Sequence, residues 1–172
     1  ASRVLAADGS LRAPADVLGA NELGQSGLWA HGISGDLPIL LVRVTGDDLA
    51  LVRQALQAQE YWRLKGLSAD VIILNEHPVS YLDEIQGRLT GLLDDGPWRT
   101  WKHQSGGAYL LRADLMGPAE RTLLQAVARA VLEGGRGDLR AQLDRAHLDQ
   151  SRSGHEAHAR VPRADQGRGL DQ

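Results

Sequence analysis

Cysteine and phenylalanine are both absent from these 172 residues. Without cysteine there is no disulfide framework, no thiolate metal site and no cysteine nucleophile, a composition compatible with a reducing compartment. Without phenylalanine, four Trp and three Tyr are the whole aromatic stock, so Leu, Val, Ile and Ala must do most of the packing. A basic excess is missing too. The formal net charge of −3 argues against a general nucleic-acid binder. No apolar run approaches the roughly 18 residues of a membrane-spanning helix, and there is no basic, apolar, small-residue leader. No membrane contact is expected of this segment. The first residue is Ala rather than Met, which reads as a piece of something longer or a processed product.

What is present suffices for one core, since 42% of the residues are hydrophobic and the length suits one domain. Residues 1–31 read as an irregular lead-in with one short helix near Ala13 to Leu18, and Leu28-Trp29 as an anchor. Residues 32–148 read as an α/β domain. Pro38 to Val44 has the continuous aliphatic character of a strand covered on both faces. Thr45-Gly46-Asp47-Asp48 then supplies turn and capping residues for a helix over Leu49 to Lys65, closed by Gly66. Val71 to Leu74 is a second strand, followed by a helix carrying Leu82, Ile85, Leu89, Leu92 and Leu93. Ala108 to Leu111 is a third. A helix from Gly117-Pro118 carries Leu123, Leu124, Val127, Val131 and Leu132, and a short last helix is expected from Asp138 to about His147.

Alternation of this kind predicts a small three-layer βαβαβα unit with about three parallel strands and right-handed crossovers. Residues 149–172 carry little apolar surface and are expected to form a disordered tail.

The stretch GISGD at Gly32 to Asp36 has the glycines of a phosphate loop in the wrong order. Such loops follow a strand and open a helix, whereas this one precedes a strand. Ser34 fails the nucleophile-elbow context for the same reason. A tight strand approach, with Ser34 or Asp36 bonding local backbone, is the expectation.

Ligands of open parallel sheets bind beyond the carboxyl ends of the strands. That rule directs attention to Asp47, Glu76, His77 and Arg112, with Asp48, Asn75 and Asp114 beside them. Glu76 and His77 offer acid–base chemistry and the acidic residues a hard-cation site, although all of them are also ordinary capping and turn residues. The second group is Trp98, Trp101 and Tyr109, with Lys102 and His103 between. Rigid amphipathic rings suit a sugar-stacking surface, and equally a loop wedged against a neighbouring domain. His155 and His158 lack a third ligand, so no metal site is expected.

Three segments resemble one family: Gly24-Gln25-Ser26-Gly27-Leu28-Trp29 through GISGDLPI, Tyr61-Trp62-Arg63-Leu64-Lys65-Gly66-Leu67, and Leu123-Leu124-Gln125-Ala126-Val127-Ala128-Arg129. They are similar to the large cyclic β-1,2-glucan synthases of bacteria, very long inner-membrane proteins joining a glycosyltransferase region to a glycoside-phosphorylase-like region. The resemblance spans about residues 1–148. It implies a position within the phosphorylase-like region, outside its catalytic barrel, with no catalytic residue, no cofactor and no metal in this chain. The parent would polymerise glucose from UDP-glucose, control chain length by phosphorolysis and cyclise the product. This segment would be a non-catalytic structural part on the cytoplasmic side of the inner membrane, and soluble and cytoplasmic by itself. Its implied partners are neighbouring domains of the parent chain. Two alternatives stand beside that reading: a β-1,2-glucan-binding module using Trp98, Trp101 and Tyr109, and a small stand-alone enzyme using the strand-end polar set. Trp98 to Gln104 and the tail after about Gln150 depart from the family, the latter as a truncated or frame-shifted gene product would.

Overall fold

The computed structural model describes residues 9–159, with side chains to residue 152. Four strands form one parallel sheet: β1 (Ile39–Val44), β2 (Asp70–Asn75), β3 (Ala108–Arg112) and β4 (Ala130–Glu133). Their spatial order is β3-β2-β1-β4. The helices are α1 (Ala15–Gly19), α2 (Ala50–Leu64), α3 (Val79–Asp94), α4 (Pro118–Val127) and α5 (Leu139–Ala159). The α/β class, the parallel pairing and the three layers agree with the sequence reading.

Side-chain alternation along β1 builds both layers. Leu40, Val42 and Val44 join Val71, Ile73 and Leu110 under α2 and α3. Ile39 and Leu41 join Ile72, Leu74 and Tyr109 under α4 and the turn around Leu28. A central parallel strand covered on both faces must be apolar at successive positions, which is why ILLV is uninterrupted.

The fourth strand corrects the sequence reading, which assigned Val131 and Leu132 to the preceding helix. Ala128 leaves helical geometry at φ −60° and ψ 131°, and the Arg129 N–H donates to the Ile39 carbonyl at 2.8 Å. The segment then fills the open edge of β1, with Val131 opposite Leu41. Four residues are too short to display a period of two, and their apolar positions continue the stripe of α4.

The tail boundary also moves. α5 continues to Ala159, so residues 149–159 are helical; the remainder of the tail lies outside the described residues. The Asp138 carboxylate caps the Ala141 N–H at 2.8 Å, and Leu139, Leu143 and Ala146 pack against the core. Once such a first turn is anchored, each added helical residue costs little. Nor is the lead-in separate from the domain. Leu11 is buried with the α2 layer and Leu28 with the α4 layer. Trp29, however, is 64% exposed and does not anchor the chain.

Local expectations fare well. Gly66, at φ 74°, ends α2 with the paired bonds of a Schellman motif, Gly66 N–H to Arg63 O at 3.0 Å and Leu67 N–H to Trp62 O at 2.9 Å. In GISGD, the Ser34 hydroxyl accepts from the Asp36 N–H at 3.2 Å, and Gly32 and Gly35 both have positive φ. The segment is a bend into β1. Gln59 interrupts the apolar face of α2 because its buried amide donates to the carbonyls of Ala69 at 3.0 Å and Gly107 at 2.6 Å. It pegs the helix to the approaches of β2 and β3.

Candidate functional site at the strand ends

The carboxyl ends of the strands carry charge because apolar side chains stop there and the loops begin. Arg43, the one charged residue of β1, stands opposite Glu133 of β4. Its Nε donates to Glu76 Oε2 at 2.9 Å and its Nη1 to Glu133 Oε1 at 3.0 Å. Arg136 Nε closes the chain on Glu133 Oε2 at 2.9 Å. One guanidinium on β1 therefore ties the residue just past β2 to β4 on its other side. Sequence reasoning singled out Glu76 but missed Arg43, Glu133 and Arg136. The available signal was a cation inside ILLVRV, which a covered strand tolerates only when paired.

Arg112 ends β3 and binds elsewhere. It holds Asp114 through two bonds of 3.0 and 2.8 Å and Asp83 of α3 through a third of 2.9 Å. The fork of bonds to Asp114 raises the guanidinium pKa and holds the Asp114 carboxyl below the usual range. His77 is buried. Its Nδ1 lies 3.1 Å from Asn75 Oδ1, and its Nε2 lies 3.6 Å from Asp47 Oδ1. The four anticipated polar residues thus separate into three assemblies: Glu76 with Arg43, His77 with Asp47, and Arg112 with Asp83 and Asp114. Among the described residues no group of three or more His, Asp or Glu is gathered as a metal ion requires. The side chains of His155 and His158 lie outside the described residues.

The aromatic set is likewise divided. Trp98 packs against the α2 layer and donates its Nε1–H to the Leu56 carbonyl at 3.1 Å. Tyr109 is buried in the opposite layer, edge-on to His103 at 5.8 Å. Burial raises the Tyr109 pKa and lowers that of His103. Trp101 is partly exposed, with the Arg63 guanidinium 4.5 Å from its ring centre. No shared platform exists for the three rings.

Asp70, the first residue of β2 and one the sequence reading did not single out, is fully buried. Its Oδ1 accepts the Gly106 N–H at 2.7 Å, while Oδ2 has no partner among the described residues. Burial pushes this carboxyl up against the opposing pull of the Gly106 bond, and Asp36 adds to the rise. A raised folded-state pKa means that Asp70's contribution is complete below the ordinary aspartate range and is lost as pH rises through the folded value. Asparagine keeps the acceptor and cannot ionise. The stability advantage of Asp70→Asn over the parent should therefore grow from about pH 4 to about pH 7, as read by denaturant unfolding at each pH. A difference that stays constant or shrinks over that range would contradict the assignment.

No helix among the described residues is long and apolar enough to cross a membrane. No protein-family profile matches the chain. Across 155 residues, 85% of its length, the chain is 36% identical to the cyclic beta-(1,2)-glucan synthase NdvB of Rhizobium meliloti (strain 1021). It spans only 5% of that protein's length. The chain is thus related to one short segment of a cyclic beta-(1,2)-glucan synthase.

Proposed function

We propose that this chain is a non-catalytic structural segment of a cyclic β-1,2-glucan synthase-like protein, holding neighbouring domains of its parent in place. The parent joins glucose from UDP-glucose into β-1,2-glucan, adjusts chain length by phosphorolysis and cyclises the product on the cytoplasmic side of the inner membrane. The observation that carries the reading is the state of the strand-end acids and bases. Glu76 is held by Arg43 and Asp114 by Arg112 in short charge-assisted bonds, and general acid–base catalysis needs a group within reach of a substrate proton. The dispersal of Trp98, Trp101 and Tyr109 over two layers and a loop supports scaffolding over glucan stacking.

The test is turnover. The purified chain, given UDP-glucose and separately β-1,2-glucan with inorganic phosphate, should release neither UDP nor glucose 1-phosphate. Turnover that disappears on Glu76→Gln or His77→Gln would overturn the proposal.

A further inference from the structure

His77 stands two residues past the end of β2, in a polar environment that fixes it from one side only. Asn75 donates through Nδ2 to the Leu82 carbonyl at 3.2 Å and to Gln86 Oε1 at 3.0 Å. Both partners are acceptors on α3, so the Asn75 amide has one orientation and presents Oδ1 to His77. That oxygen accepts the His77 backbone N–H at 3.2 Å and faces Nδ1 at 3.1 Å. The ring proton of neutral His77 therefore belongs on Nδ1. Nε2 is left as a buried lone pair with no hydrogen-bond partner. The nearest acidic oxygen is Asp47 Oδ1 at 3.6 Å, on a side chain that is 86% exposed.

Two acceptors facing one another make no bond. Adding one proton to Nε2 turns the same pair into donor and acceptor. A buried N–H⁺ without a partner is costly, so protonation of the ring and approach of Asp47 must occur together. Other charges around the ring are already engaged. Glu76 lies on Arg43, Arg112 on Asp83 and Asp114, and Arg88 of α3 donates to the Asp47 carbonyl at 3.1 Å. The Arg88 bond holds the Asp47 backbone and leaves its carboxylate to swing.

We propose that His77 and Asp47 form a proton-operated latch, in which protonated His77 clasps the Asp47 carboxylate and so steadies the loop between β1 and α2, residues 45–49, against the carboxyl end of β2. This inference is independent of the parentage proposed above.

Two measurements on the full chain decide the matter. Imidazole nitrogen shifts of neutral His77 should report a proton on Nδ1; a proton on Nε2 overturns the proposal. Amide exchange of residues 45–49, corrected for the intrinsic pH dependence, should be about threefold to fivefold slower where the His77 ring is protonated than where its nitrogen shifts report it neutral. In Asp47→Asn that pH-dependent protection should vanish while the rest of the amide spectrum is unchanged. Equal protection in the variant and the parent overturns the latch.

Discussion

Gly107→Ala should lower the stability of the chain by about 3 kcal/mol or more, through overpacking that cannot relax. A Cβ at this position would overlap the Trp101 carbonyl oxygen far inside van der Waals contact, with Trp101 C at 2.8 Å and Gln104 O at 2.9 Å. All three are backbone atoms, so no side chain can turn away. The Gly107 carbonyl also receives Gln59 and the Val71 N–H, so any shift carries into β2. Gly91→Ala is the control. It lies inside α3 with nothing within 4 Å of the added atom and should raise stability by roughly 0.5–1 kcal/mol. Thermal unfolding of the two variants side by side checks both. A Gly107→Ala variant melting within a degree or two of the parent would mean that the loop before β3 is built differently.

The second large effect is expected at Arg43. Arg43→Met removes the cation between Glu76 and Glu133, whose side chains are 15% and 33% exposed. Breaking a fully buried pair costs about 3–5 kcal/mol; water still reaches these carboxylates, and about 2 kcal/mol is the expected loss. Replacing all three together, with Glu76→Gln and Glu133→Gln, should recover most of it, because the penalty lies chiefly in Glu76, stranded while Arg136 still holds Glu133. Denaturant unfolding of single and triple variants separates the terms. Equal stability of the single and the parent would mean that the bridge contributes little.

The pattern of residues disclosed the parts of this fold that depend on local chemistry. A run of aliphatics gave β1, Gly66 the end of α2, and the misplaced glycines of GISGD a bend in place of an anion cradle. What stayed hidden depended on distant groups. Whether Ala130–Glu133 is helix or strand is decided by the Ile39 carbonyl and the vacant edge beside it, neither of which is local. Arg43 meets partners 33 and 90 positions away, so its role could not be read from its neighbours. Tyr109 is different. Alternation along β3 puts its side chain on the face opposite those of Ala108 and Leu110, whereas the place of Trp98, outside that strand, depends on the distant Leu56 carbonyl. The resemblance to glucan synthases, by contrast, was carried by short motifs, and the 36% identity bears it out.

Because the last strand seals the first, the order of synthesis matters. When a ribosome has released β1, β2 and β3, the flank of Ile39–Val44 that β4 will occupy still lacks its partner. An unpaired apolar edge is a template for other chains, and here it persists until residues beyond Arg129 emerge. Translation that stalls or terminates before that point would leave a sticky nascent product.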